Sequence, residues 1–267
     1  MNLIIFSDLD GSLLNHDDYS FAEALPALTI IKTAGIPLII TTSKTRREVE
    51  ILRKDMGITD PFVVENGGGV FFSGNDNFDL PASYRKEGYA VIELGMTYKL
   101  IRDFFHTVKE RFHARGFGDM SIAEIADRTG LSIAEAALAK NREFTEPFLL
   151  DAHQDSEAIN KLAESHGMKI TRGGRFYHLM GCRQDKGAAV RLVLDIFRRH
   201  YGGSILAIAI GDGENDRPML GEADIPVLIP HPDGSYADIC LPGLVRAEAP
   251  GARGWNDVVQ MILKGGS

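Results

Sequence analysis

Asp8 and Asp10 stand one residue apart directly after an apolar run at residues 3–6, and Gly11 and Ser12 follow them. A buried strand that ends in two acids and a glycine presents carboxylates at its tip. Three further apolar runs end in polar groups in the same way. Residues 36–40 lead to Thr42, Ser43 and Lys44, residues 61–64 to Glu65, Asn66 and Gly67, and residues 205–210 to Asp212, with Asn215 and Asp216 close behind. In open parallel sheets, ligands bind beyond the carboxyl ends of the strands. Acids and hydroxyls delivered to that rim can therefore form one site, with Asp8 and Asp10 on the same side if the strand stays extended. Clustered carboxylates repel one another, and a hard cation with oxygen ligands, such as Mg²⁺, holds them together most cheaply. Mg²⁺ keeps several waters and recruits a substrate phosphate, for which Thr42, Lys44 and Lys186 offer donors. A single Asp after a strand is usually a turn former or a cap; the coincidence at several strand ends is what argues for chemistry.

The elements that carry these tips follow from the hydrophobic pattern. Strands are expected at residues 3–6, 36–40 and 61–64, with helices over 21–33, where Gly35 is a stop signal, and over 45–56. Strand and helix in alternation specify a parallel sheet with crossover helices. The pattern resumes with an amphipathic helix at 185–200 and strands at 204–210 and 225–229. Between lies a different mixture: strands near 89–93, 148–151 and 176–180, and helices near 100–112, 121–127, 132–140 and 155–165. Ser121 and Ser132 are placed to cap two of those helices. The expected fold is thus α/β, with a parallel-sheet core made from residues 1–82 and 181–267 and a smaller domain inserted at 83–180.

Composition narrows the function. The chain has 267 residues, 44% hydrophobic and 25% charged, and a formal net charge of −8. A sequence-blind nucleic-acid binder needs a basic surface, so no nucleic-acid partner is expected. The apolar runs are too short to span a bilayer, and no basic region followed by a long apolar segment marks a signal peptide; the expected setting is the cytoplasm, without a membrane. Cys182 and Cys240 form no Cys-x-x-Cys pair and are expected to be buried thiols in a reducing compartment. Spacing around Asp8 resembles the start of a calcium loop, but the glycine comes two positions early and Tyr19 stands where the closing Glu belongs. Neither a Walker-type phosphate loop nor a Gly-x-Gly-x-x-Gly after the first strand occurs.

At this level the motifs carry a resemblance. Asp8-Leu9-Asp10-Gly11-Ser12-Leu13-Leu14 resembles the first motif of the haloacid dehalogenase-like phosphatases, with Ser12 in place of the usual Thr. Thr42-Ser43-Lys44 resembles their second motif, Asp185-Lys186-Gly187 the third, and Gly211-Asp212-Gly213-Glu214-Asn215-Asp216 the fourth. Val64-Glu65-Asn66-Gly67-Gly68, Arg142-Glu143-Phe144-Thr145-Glu146-Pro147-Phe148, Gly173-Gly174-Arg175-Phe176-Tyr177-His178 and Pro250-Gly251-Ala252-Arg253-Gly254-Trp255-Asn256 are similar to the mannosyl-3-phosphoglycerate phosphatase branch. The resemblance implies a Rossmann-like core with an inserted α/β cap of the C2B type. It implies a Mg²⁺-dependent phosphoric monoester hydrolase that converts mannosyl-3-phosphoglycerate, or its glucosyl analogue, to the glycosylglycerate, a compatible solute. Asp8 is then the nucleophile and Asp10 the general acid and base. Mg²⁺ is bound by Asp8, the Asp10 carbonyl and Asp212, Thr42 and Lys186 hold the phosphoryl oxygens, and Asn215 and Asp216 orient ligands from behind.

Leaving-group contacts are less specific. Ser43, Lys44, Glu65, Asn66, Gly67, Arg172, Gly173, Gly174 and Arg175 are the candidates, with Arg175 able to clamp a carboxylate bidentately and Glu65 and Asn66 able to read hydroxyls or place the cap. Gly173-Gly174 also suits a plain hairpin turn. His178 reads as a satisfied core histidine, Trp255 and Phe104, Phe105 and Phe112 as core, and Arg46, Arg47, Arg53 and Lys54 as a solvated helix face. The alternatives are a broad sugar-phosphate phosphatase or a phosphomutase on the same core, and, against the intact Asp8, Asp10, Lys186 and Asp212, a non-catalytic metabolite-binding protein. Oligomeric state is not written in these patterns.

Overall fold

Strand β1 (Asn2–Ser7) lies at the centre of the main sheet because its residues are apolar on both faces: Ile5 packs into one core cluster while Ile4 and Phe6 pack into the other. Such two-sided burial is the mark of a parallel strand covered by helices above and below. The computed structural model describes residues 2–74, 77–150, 156–173 and 176–265. In chain order the first part adds α1 (Leu25–Ala34), β2 (Leu38–Thr41), α2 (Arg46–Met56), β3 (Phe62–Val64), β4 (Gly69–Ser73), β5 (Tyr84–Lys86) and β6 (Tyr89–Glu93). The middle contributes α3 (Tyr98–Val108), β7 (Arg115–Gly116), α4 (Ile122–Thr129), α5 (Ile133–Ala139), β8 (Thr145–Leu149), α6 (Ser156–Glu164), β9 (Met168–Gly173) and β10 (Phe176–Gly181). The chain then returns through α7 (Lys186–Tyr201), β11 (Ile205–Gly211), α8 (Arg217–Leu220), β12 (Ile225–Leu228), β13 (Val245–Arg246) and α9 (Gly251–Gly265).

Among the described residues the main sheet runs β13-β12-β11-β1-β2-β3-β4-β6-β5. Its strands from β13 to β3 pair in parallel, and β4, β6 and β5 add an antiparallel edge. One face is covered by α1, α2 and α9, with buried Ile31, Val49 and Trp255, and the other by α7 and α8, with Val190, Val193 and Met219. Local signals set the ends of these helices. Thr45 caps α2 in a reciprocal box with Glu48, and Gly35 and Gly57 end α1 and α2 in the left-handed conformation that glycine adopts without strain. The expected serine caps form as well, Ser121 with Glu124 and Ser132 with Glu135.

The insert is a second, four-stranded sheet ordered β7-β8-β10-β9. Helices α3 and α6 cover one face through Phe105, Phe148, Ile159 and Leu179, while α4 and α5 build a smaller cluster with Phe117 and Phe176 on the other. Strands β5 and β6 fall inside the range 83–180 expected for the insert, yet they pair with the core sheet. Apolar β6 residues Ala90, Val91 and Ile92 complete the core clusters, so sheet pairing puts the first crossover after Glu93. No described helix is long and apolar enough to cross a membrane. Both cysteines are free but exposed, contrary to the expected burial; Cys182 follows the end of β10, and Cys240 lies between β12 and β13.

Candidate active site

Four strand tips converge at the carboxyl edge of the core sheet, and glycines let them approach. Gly11 has φ +76°, and a side chain there would meet Asp212 Oδ2 at 2.4 Å. The chain after Asp10 therefore lies against the tip of β11. Gly187 repeats the device at α7, where a Cβ would sit 2.5 Å from the Pro218 carbonyl. Trp255, fully buried, donates from Nε1 to Ser7 Oγ at 2.9 Å, and Ser7 Oγ donates to the Asp8 carbonyl at 2.7 Å. The last helix thereby braces the tip of β1.

Lys186 is the hub. It is 0% exposed, and its ammonium lies 2.8 Å from Asp8 Oδ1 and 2.6 Å from Asp216 Oδ1. Burial pulls its pKa down, but Asp216 and Asp8 outweigh burial and hold it above the ordinary value. Asp216 is further fixed by the backbone N–H groups of Asp212 and Gly213, which donate to its Oδ2 at 3.0 Å each. One oxygen each from Asp8, Asp212 and Asp216 lie within 4.8 Å of one another. Burial first, then repulsion among these acids, pushes the pKa values of Asp212 and Asp216 up. Asp216 is thus a member of the acidic cluster, as well as its brace.

Asp10 stands beside this cluster with its Oδ1 3.0 Å from Lys44 Nζ. Burial raises its pKa against the lowering effect of Lys44. Lys44, a candidate for substrate binding, is held at the rim by Asp10 and, at 3.8 Å, by Glu48, and its ammonium lies 4.9 Å over the Tyr19 ring. Thr42 is buried, and its hydroxyl accepts from the Lys44 N–H at 3.2 Å. The Ser43 carbonyl accepts from Arg142 Nη1 at 2.9 Å, tying the second strand tip to the insert.

Of the two expected roles for Glu65, reading hydroxyls or placing the cap, its bonds fit the second. It is 0% exposed, and its carboxylate accepts from Glu143 N at 2.7 Å, Phe144 N at 3.1 Å and Thr145 Oγ1 at 2.6 Å. Burial raises its pKa. A buried carboxylate that takes three donors from the chain entering β8 holds the cap in place. Gly67 is likewise structural, with φ +87° and a Cβ position 2.1 Å from the Asp185 carbonyl. Gln184 Nε2 donates to the Glu65 carbonyl, and Gly68 accepts from Leu94 N and Gly95 N, so this one turn gathers both crossovers. Asn66, at φ +57°, accepts from Asn215 Nδ2 at 3.3 Å and links the turn to the acidic tip.

Arg172 was also a candidate, but register puts it on the wrong face. It pairs with Tyr177, whose ring stacks on Phe148 in the cluster under α3 and α6, and its guanidinium lies 5.6 Å over that ring. Gly173 pairs with Phe176 across β9 and β10, in keeping with a hairpin connection; Gly174 and Arg175 lie outside the described residues. The basic face of α2 is not solvated throughout. Arg46 is 2% exposed and pairs with Glu50, Glu87 and Glu143, binding core helix to cap crossover, and Arg53 is buried against Phe62. Residue spacing along one helix shows its polar face but not the acids another segment will bring to it.

A doubly wound core with an inserted α/β cap, and acids and a lysine at four strand tips, define a class of phosphoryl-transfer hydrolase. The family profile described as haloacid dehalogenase-like hydrolase matches residues 5–230, and the chain belongs to that family. Among curated relatives, a glucosyl-3-phosphoglycerate/mannosyl-3-phosphoglycerate phosphatase of Persephonella marina is 49% identical over 98% of this chain and 97% of its own. A protein of the same description from Methanococcoides burtonii is 40% identical over 98% of each chain. Among solved structures, a phosphatase of the haloalkanoate superfamily from Bacteroides thetaiotaomicron superposes with a TM-score of 0.69 at 17% identity, covering 100% of this chain and 96% of that one. That likeness concerns the fold alone.

Proposed function

We propose that the protein hydrolyses the phosphate ester of glycosyl-3-phosphoglycerates, glucosyl and mannosyl alike, releasing the glycosylglycerate and inorganic phosphate. What carries this reading is the Asp8 carboxylate, fixed by Lys186 at 2.8 Å on the rim where Asp10, Thr42 and Asp212 converge. The relatives named above supply the substrate class. Asp8 attacks phosphorus, and the bond from phosphorus to the leaving oxygen breaks, leaving an aspartyl phosphate; two displacements of lower barrier replace one. Asp10, whose burial favours the protonated form, gives its proton to the departing oxygen. It then takes a proton from water, which attacks phosphorus and restores the Asp8 carboxylate. Lys186 and Thr42 hold the equatorial phosphoryl oxygens as charge builds.

The acidic cluster fits a divalent cation. Its oxygens are hard donors, they lie within 4.8 Å of one another, and the close approach of Gly11 to Asp212 keeps the cradle tight. Asp8, Asp212 and the carbonyl of Asp10 would hold Mg²⁺, with Asp216 bracing them. When bound, Mg²⁺ offsets the repulsion between the carboxylate nucleophile and the phosphate dianion. Two free thiols suit a reducing compartment, and the cytoplasm is the setting we infer.

Phosphate release tests this reading. With Mg²⁺, kcat/KM for glucosyl- and mannosyl-3-phosphoglycerate should exceed that for mannose 6-phosphate and 3-phosphoglycerate by about 100-fold or more, and EDTA should abolish it. Equal rates across the four esters would discard the substrate and leave only the core chemistry.

A further inference from the structure

Period-two alternation in β10 separates two kinds of residue. Tyr177 and Leu179 pack into the cluster under α3 and α6, so Phe176 and His178 point to the opposite face of the cap sheet. On that face Phe176 meets the edge of the Phe117 ring at 5.1 Å, and the Arg142 guanidinium lies 5.8 Å over Phe117. Thr145, opposite Met180 on the same face, accepts from Arg142 Nη1 at 3.5 Å. His178 and Arg142 therefore share the cap face, and Arg142 also reaches the second strand tip of the core through the Ser43 carbonyl.

Among the described residues His178 lacks a partner at one nitrogen, and Arg142 lacks a direct ion pair. His178 is 8% exposed, yet its Nδ1 has no hydrogen-bond partner, which overturns the expectation of a satisfied core histidine. A buried polar atom left unpaired costs about 1–3 kcal/mol, and it calls for an explanation in function or bound ligand. Arg142 donates to the neutral oxygens of Ala139, Ser43 and Thr145; the Glu65 carboxylate, which accepts from the same Thr145 hydroxyl, feels its charge but makes no direct ion pair with it. Its Nη2 is not used by any of these bonds. Burial, and then the charges of Arg142 and Lys186, push the His178 pKa down to about 3, so the imidazole stays neutral, with one donor and one acceptor nitrogen.

We propose that Arg142 and His178 are the specificity pair of the cap: Arg142 binds the carboxylate of the glycerate moiety, and His178 hydrogen-bonds a neighbouring hydroxyl or carboxylate oxygen. This rests on the proposed substrate class, whose phosphoglycerate portion carries a second anion beside the phosphate. Lys186 and Thr42 serve the phosphate, and the Arg142 guanidinium, held at the second strand tip with its Nη2 outside these bonds, serves the carboxylate. Its planar fork suits that group as an ammonium would not.

The test is the ratio of kcat/KM for glucosyl-3-phosphoglycerate to that for mannose 6-phosphate, which has no carboxylate. Arg142→Gln should lower the ratio about 100-fold, mostly through KM. Arg142→Lys, which keeps the charge and a bond to Ser43, should still lower it about 10-fold. His178→Leu should lower it about 10-fold, and His178→Asn, with a polar atom near the Nδ1 position, should restore part of the loss. Melting temperatures of all four variants monitor the fold. If the wild-type ratio is high and folded Arg142→Lys and His178→Asn keep it, as do the other two, the pair has no role in specificity. An equal fall for both substrates would make the residues structural and overturn the proposal. A wild-type ratio near one would sink the substrate reading and this inference together.

Discussion

At the core rim the charged side chains answer one another: Lys186 lies between Asp8 and Asp216, and Lys44 against Asp10. In the cap, among the described residues, Arg142 bonds to neutral oxygens without a direct ion pair, and His178 Nδ1 has no partner. The difference follows from what each side does. Core groups must hold one geometry for a reaction common to every phosphate ester, so the protein fixes them with its own counter-charges. The cap must distinguish leaving groups, and a group that has spent its hydrogen bonds inside the protein cannot read a substrate. Glu65 marks the boundary between the two: buried, with three donors from the chain entering β8, it fixes one region on the other.

The largest effect should come from the rim. Asp8→Asn is nearly isosteric and should lower kcat by about 10⁴-fold or more while leaving the melting temperature near that of the wild type; steady-state phosphate release and thermal melting check both. Substantial turnover in this variant would erase the division between a chemical rim and a selecting cap. Lys186→Met leaves Asp8 and Asp216 facing each other without their cation. It should reduce turnover and also destabilise the fold by about 3–5 kcal/mol, measured by urea unfolding.

Smaller effects sharpen the boundary. Glu65→Gln replaces one carboxylate oxygen by an amide donor that meets at least one of the three donors, and should cost about 1–3 kcal/mol. Because the crossover loosens, hydrogen exchange should rise at Glu143, Phe144 and Thr145 before it rises in β1. Uniform protection across both regions in the variant would argue against Glu65 as the link.

The smallest effect concerns pH. The folded-state pKa values of Asp212 and Asp216 are raised by burial and mutual repulsion. The stability their protonation contributes is complete below the ordinary carboxylate value of about 4 and drains away as pH rises through the elevated range. A cation in the cluster opposes that loss. The gain in melting temperature on adding Mg²⁺ should therefore be larger at pH 8 than at pH 5. A gain independent of pH would detach the cation from these acids.

The sequence revealed the rim more fully than the cap, for physical reasons. Buried parallel strands are apolar on both faces, so β1, β2 and β11 stand out as runs, and the polar residues that end them mark the site. Gly11 and Gly187 add spacing that only close backbone approach requires. β4 was not legible because it opens with Gly69 after a turn in which Glu65, Asn66 and Gly67 all take positive φ, a pattern that reads as loop. Arg46 looked solvated because its partners Glu87 and Glu143 come from distant segments. His178 was visible as a polar residue on an apolar strand, but whether its nitrogens are paired depends on β8, α4 and α5, which no local pattern reports.

The most direct test of the central claim is to trap the covalent intermediate. Enzyme turning over glucosyl-3-phosphoglycerate with Mg²⁺ is quenched in acid and treated with borohydride, which reduces an aspartyl phosphate to homoserine, and the peptides are mapped by mass spectrometry. The account predicts homoserine at position 8, present only when substrate is present. Turnover with no homoserine at position 8, or with the modification on another carboxylate, would contradict it.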